Sequence, residues 1–211
     1  VAHPHGILVT WALMMEGGIQ INTEGERFSN EHDGYSEQAE RVIRQPNQTA
    51  YALIDDRILA LGREFPDFCG AEAAGALISA ASIAEMENRL GLPVGALQAT
   101  LDDVAVCQAG QQEDSFGRDF TTKPVLTGAI HAIRVTGALF HTQGGLDINL
   151  DAEVIDANGQ PLGGLLAAGG AARGVSGPDV SGYLSGNGLL TAITLGRIAG
   201  RRAAVLLADS P

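Results

Sequence analysis

The chain has 211 residues, 45% of them hydrophobic, with 13 basic against 25 acidic side chains and a net charge of −12. That is apolar material for one sizeable core, or one domain and part of another, while the acidic balance argues against nucleic acid and anionic membrane surfaces as partners. No apolar run approaches the ~20 residues of a membrane span, and Cys69 and Cys107 stand alone, without CxxC or metal-ligand spacing, as expected of a cytoplasmic protein.

The chain opens on Val1-Ala-His-Pro4 without a methionine, and we expect its true start upstream. Residues 6–28 read as an apolar segment, the Gly17-Gly18 pair, a strand at 19–22 and a turn at 23–26, together a β-hairpin with Gly25 supplying the positive φ. Residues 37–44 have a helical pattern that ends before Pro46, and the apolar run 50–54 is that of a short buried strand. Arg57, following Asp55-Asp56, is expected in a surface ion pair. Ser82 and Glu85 have capping-box spacing for a helix ending near Leu90-Gly91, and Pro93 is assigned to the first turn of a helix running to about Gln108. A polar loop at 110–124, with Arg118 read as structural, leads to a strand at 129–136.

The last third changes character. Short strands are expected at 146–149, 153–155 and 165–168, punctuated by Asn158-Gly159 and Gly163-Gly164. Residues 188–207 form an Ala-rich apolar helix, with Ala192, Gly196, Ala199, Gly200 and Ala203 small enough to let it pack closely on a sheet.

Three stretches carry a family likeness. The first is Leu8-Val-Thr10, Gly17-Gly-Ile-Gln-Ile-Asn22, Gly25-Glu-Arg-Phe28 and Asn30-Glu31. The second is Asp114, Phe116-Gly-Arg118 and Phe140-His-Thr-Gln-Gly-Gly145. The third runs through Ala167-Ala-Gly169, Tyr183-Leu-Ser-Gly-Asn-Gly188 and Gly196-Arg-Ile-Ala-Gly200. In order and spacing they resemble the fumarate reductase / succinate dehydrogenase flavoproteins. The resemblance implies an α+β fold: a capping (substrate) domain over residues 1–137, followed at 138–211 by the C-terminal strands and last helix of an α/β FAD-binding domain. No GxGxxG occurs, so the N-terminal segment that cradles the pyrophosphate is absent from these residues.

The same resemblance implies FAD as cofactor, with Gly144, Gly145, Gly169, Ser185, Gly186, Asn187, Gly188 and Leu189 on the isoalloxazine side. A helix N-terminus there favours the negative charge of reduced flavin. The family usually has an acidic FAD ligand after Ala-Ala-Gly, where this chain has Gly170, and this chain alone is not expected to retain FAD. Within fumarate reductases, His3, Thr10 and His141 match the substrate-binding histidines and threonine. The proton-donating arginine is replaced by Tyr35, the glutamate and arginine of its relay by Trp11 and Met14, and the carboxylate-clamping arginine by Tyr183. Tyrosines at both places resemble the ketosteroid dehydrogenase branch, although His141 and Asn187 depart from it. We therefore expect a small-molecule substrate with an activated C–C bond beside a carbonyl, Tyr35 as base, Tyr183 as donor to the carbonyl oxygen and His141 beside them. The alternatives are a dicarboxylate oxidoreductase and a fragment without activity of its own.

Overall fold

An apolar run that lacks the alternation of a half-exposed strand needs cover on both sides, and residues 50–54 find it. The computed structural model describes residues 1–208. They fall into two units, Val1–Ala138 and Leu139–Pro211. In chain order the first contains α1 (Ala12–Met15), β1 (Ile19–Ile21), α2 (Tyr35–Ile43), β2 (Ala50–Asp55), α3 (Asp56–Gly62), α4 (Pro66–Ala73), β3 (Leu77–Ala80), α5 (Ile83–Leu90), α6 (Ala96–Gln108) and β4 (Ile130–Val135). The strands make one antiparallel sheet in the order β1-β2-β4-β3.

The period of two sorts the central strands between two cores. Ala50, Ala52, Ile54, Ile133 and Val135 join Leu13, Met14, Ile58 and Phe68 of α1, α3 and α4 in one cluster. Leu53, Ile130 and Ala132 join Met86, Leu97 and Val104 of α5 and α6 in the other. Antiparallel strands with helices on both faces account for the continuous apolar run.

Local sequence decides several ends. The Asp55 carboxylate accepts from Ile58 N–H at 3.0 Å and caps α3. The Ser82 hydroxyl accepts from Glu85 N–H at 3.2 Å, but the Glu85 carboxylate reaches back to Ala81 N–H rather than to Ser82. Helix α5 stops at Gly91, whose φ of +70° suits a residue without Cβ.

Three expectations about the first unit are corrected. The turn at 23–26 forms, with Gly25 at φ +81°, yet β1 meets its return arm only at the bridge Ile21–Arg27 and pairs along its length with β2. Pro93 lies before α6, which starts at Ala96 after Gly95. Helix α6 has no cap of its own; buried Glu87 of α5 accepts from Gly95, Leu97 and Gln98 N–H. Arg57 pairs with neither preceding aspartate; it donates to the Glu16 carbonyl, because Asp55 caps α3 and Asp56 faces His131.

The second unit holds the antiparallel pair β5 (Glu153–Ile155) and β6 (Pro161–Leu166), a 3₁₀ turn at Gly169–Ala171, and α7 (Asn187–Ala208). Gly163 and Gly164 fall inside β6 instead of ending a strand. Its buried core is small: Val154, Ala167 and Ala172, with Ile148 and Leu195 against them. Helix α7 lies against β6, and its Arg202 pairs with Glu153 of β5, as expected of a helix on a sheet; Ala192 meets Gly169, while Gly196 and Gly200 have open space where a Cβ would stand. No helix among the described residues is long and apolar enough to cross a membrane. The fold is α+β.

Candidate active site

In the first unit, the motif residues Arg27, Glu31, Asp114 and Arg118 form a buried charge lock. Arg27 grips Glu31 through two nitrogens, at 2.9 and 2.8 Å, and reaches Asp114 at 2.5 Å. Arg118 donates to Glu31 at 2.9 Å, to Gly18 O at 2.8 Å and to Met14 O at 3.2 Å, while Gln20 N–H donates to Glu31 at 3.0 Å. The Phe120 ring lies 4.7 Å from the Arg27 guanidinium and 4.5 Å from that of Arg118. Burial opposes the charge on Arg27, but hydrogen bonds to Glu31 and Asp114 outweigh it and raise its pKa. Burial likewise opposes ionised Asp114, and the Arg27 bond with the Arg118 and Phe116 N–H groups holds its carboxyl below the ordinary value. Burial, then repulsion from Arg118, lowers His32.

This lock fixes the segment that leads into α2, whose first residue is Tyr35, 43% exposed. His3 is anchored through its N–H to Arg134 O at 2.8 Å, and the Thr10 hydroxyl accepts from Ala12 N–H at 3.4 Å. Met14 is 2% exposed within the core and Trp11 packs against it. A separate tie, Asp56 to His131 at 2.8 Å and His131 to Ser79 at 2.7 Å, fastens edge strand β3 to β4 and α3.

In the second unit, His141 and Tyr183 come together, their ring centroids 5.9 Å apart and tilted by 58°. A Cβ on Gly188 would stand 3.2 Å from His141 Cε1, so both rings belong to the N-terminal end of α7. There the unpaired N–H groups of a 22-residue helix create positive potential. Ser185, Gly186 and Leu189 are exposed, and Gly186 has φ +82° with nothing where a Cβ would be.

Of the remaining residues expected to line this site, Gly144 also has open space. Gly145 serves packing: a Cβ there would overlap the Ala172–Arg173 backbone, at 2.4 Å from Ala172 C. Gly169 packs on Ala192, and the Asn187 side chain is buried against the Ser176 hydroxyl. One residue that the sequence did not single out is Gln143, whose side-chain nitrogen and oxygen are both buried without a hydrogen-bond partner. Nothing in Thr142-Gln143-Gly144 marks it, because burial of an amide has no sequence pattern. Among the described residues no group of His, Cys, Asp and Glu is arranged to hold a metal.

Residues 1–189 match the family model described as "FAD binding domain", and the chain belongs to that family, in its fumarate reductase-type branch of FAD-dependent oxidoreductases. It is 32% identical over 198 residues to the NADH:fumarate oxidoreductase of Klebsiella pneumoniae (strain 342), covering 93% of this chain and 21% of the relative. Among solved structures it resembles the open conformation of a flavocytochrome c3 fumarate reductase, at TM-score 0.74 and 27% identity, covering 99% of this chain and 36% of the other. It also resembles 3-ketosteroid-Δ4-(5α)-dehydrogenase from Rhodococcus jostii RHA1, at TM-score 0.63 and 25% identity, covering 94% and 40%. The chain thus spans only a fifth to two fifths of these proteins.

FAD is the family's cofactor. The open space at Gly144 and Gly186 and the exposed start of α7 fit a planar polar ring at that end. Nothing in the sequence supplies a glycine-rich cradle for the pyrophosphate.

Proposed function

We propose that the protein dehydrogenates a carbon–carbon bond next to a carbonyl, as a ketosteroid dehydrogenase-like oxidoreductase whose residues 1–137 form the substrate cap and 138–211 the end of the FAD domain. The observation that carries this reading is Tyr183 beside His141 at the positive end of α7, where an oxygen that becomes anionic is favoured. Tyr183 donates a hydrogen bond to the substrate carbonyl and stabilises the enolate, and His141 fixes the orientation of that phenol. Tyr35 takes the proton from the α-carbon. Bound FAD supplies the two-electron acceptor for the hydride leaving the β-carbon. His3 and Thr10 line the substrate side, and Gly144, Gly145, Gly169, Ser185, Gly186, Asn187, Gly188 and Leu189 hold the isoalloxazine side.

Buried Met14 and packed Trp11 speak against dicarboxylate reduction, since neither titrates or carries a charge to pair with a carboxylate. The test is turnover of the flavin-loaded protein on cyclic ketones and 3-ketosteroids with a dye acceptor, beside fumarate reduction by reduced viologen. Tyr35→Phe is expected to cost about 10²–10⁴-fold in turnover and Tyr183→Phe about 10²–10³-fold, with flavin content unchanged. Fast fumarate reduction, or near-normal turnover in Tyr35→Phe, overturns the reading.

A further inference from the structure

The tie of Asp56, His131 and Ser79 involves none of the residues assigned to the flavin or its substrate. The His131 ring joins an aspartate on one side and a serine on the other: Nε2 lies 2.8 Å from Asp56 Oδ1, and Nδ1 lies 2.7 Å from Ser79 Oγ. Ser79 and His131 are direct cross-strand partners in β3 and β4 and so share a face of the sheet, while Asp56 is the first residue of α3. The partners fix the direction of each proton. An ionised carboxylate only accepts, so Nε2 of the neutral ring carries the hydrogen and Nδ1 accepts from the Ser79 hydroxyl. His131 is buried, whereas Ser79 is exposed on the edge strand of the sheet. A second carboxylate acts on the same ring: Glu72, bonded to Arg63, interacts electrostatically with His131.

We propose that Ser79 is a nucleophile, with His131 as its general base and Asp56 as the positioning residue, and that it takes the acyl group of small activated carboxylic esters. A nucleophile and base within hydrogen-bond reach, the base oriented by a third group, define such a site by roles rather than by chain order. The two ring nitrogens exchange the places they hold in serine proteases, which the chemistry allows because either can carry the proton. The Ser79 oxygen attacks the ester carbonyl carbon as its proton passes to Nδ1. The ester C–O bond then breaks, and the departing alcohol takes that proton. Water attacks the acyl-serine by the same route and releases the carboxylic acid, so ester and water give acid and alcohol with no other reactant. Asp56 and Glu72 stabilise the imidazolium formed in between. The hydroxyl is open to solvent, so small esters with good leaving groups reach it, and selectivity for a long acyl chain is not expected. No step draws on the flavin reading, and the two stand or fall separately.

The test treats the 211-residue chain with an alkyl fluorophosphonate, whose P–F bond breaks as a serine oxygen joins phosphorus, and separately with p-nitrophenyl acetate. Peptide mass spectrometry locates the adducts, and absorbance follows nitrophenolate release. Both reagents are expected to modify Ser79 about 10²-fold faster than a serine amide in the same buffer. Ser79→Ala is expected to abolish that adduct and His131→Gln to slow it about 10²-fold. Asp56→Asn separates positioning from a structural role, because the amide keeps a hydrogen bond to the ring but removes the negative charge. Modification is then expected to slow about tenfold at an unchanged thermal midpoint, with part of the rate recovered in Asp56→Glu. Adducts on other residues only, a rate equal to that of the serine amide, or an unchanged rate in Asp56→Asn overturns the proposal, as does a fluorophosphonate adduct without acetyl transfer. If His131→Gln does not fold, the comparison of Asp56→Asn with Asp56→Glu decides.

Discussion

The two units solve the problem of stability differently. The first buries its sheet between two apolar layers and closes its loops with a four-residue charge lock, each acid of which meets an arginine. The second buries a cluster of only three hydrophobic residues, with Ala152 buried beside it, while Leu189 is 74% and Ile193 73% exposed on α7. Contiguous apolar exposure of this kind marks a surface that functions covered. The first unit holds its shape through its own contacts, whereas the second has a small core and exposed apolar side chains on its long helix.

That comparison breaks most sharply at Glu31. Glu31→Ala leaves Arg27 and Arg118 buried without their shared carboxylate, which is expected to cost about 3–5 kcal/mol. Denaturant unfolding of the first unit should then shift to low concentration while the transition of the second unit stays put; a shared shift would show that the units do not unfold separately. Next is Glu87→Ala, expected to cost about 1.5–3 kcal/mol, since Gly95 and the first turn of α6 lose the carboxylate to which the Gly95, Leu97 and Gln98 N–H groups donate. Amide exchange accelerating in α6 ahead of α5 would locate the effect.

Limited proteolysis sharpens the contrast from the other side. Cuts are expected within 139–211 before 1–138, and FAD is expected to slow them in the flavoprotein; early cleavage in the sheet would reverse the picture.

Acid should weaken the lock in a defined window. The folded pKa of Asp114 is depressed, so its contribution is complete above the unfolded value of ~4 and is lost as pH falls through the lower folded value. His32 is also depressed. Its neutral form is favoured on folding, so a shallower loss begins as pH falls through ~6.5. The expected record is a gentle decline followed by a steep one, both removed from the first-unit transition if the assignment is wrong. The smallest effect is at Glu85→Gln, where an exposed carboxylate paired with Arg89 is expected to leave the thermal midpoint unchanged.

Much of this organisation was legible in the residues. The buried strand at 50–54, the capping serine at 82 and the long C-terminal helix follow from runs, spacings and composition. The ordered glycine motifs were enough to point to the flavoprotein family. Less legible were contacts made across the chain. The Gly25 turn predicted a hairpin, but β1 took β2 as its partner, because the sheet offered Ile19 and Ile21 a buried neighbour that the short return arm could not. Pro93 looked like a helix start, yet α6 begins at Ala96 after Gly95, with Glu87 from the preceding helix capping it. That Gly145 has no room for a Cβ, because the chain crosses the Ala172–Arg173 backbone there, has no local sequence pattern.

The sequence by itself determined the class of fold, the family and the residue types at the chemical positions, because those rest on local pattern and on motif order. Only the tertiary structure decided which charges are buried together, which glycines face open space and which face backbone, and that Gln143 is buried without a partner. Burial and pairing are properties of three-dimensional neighbours, and residues such as Arg27 and Asp114, 87 positions apart, meet only once the sheet and helices have brought their loops together.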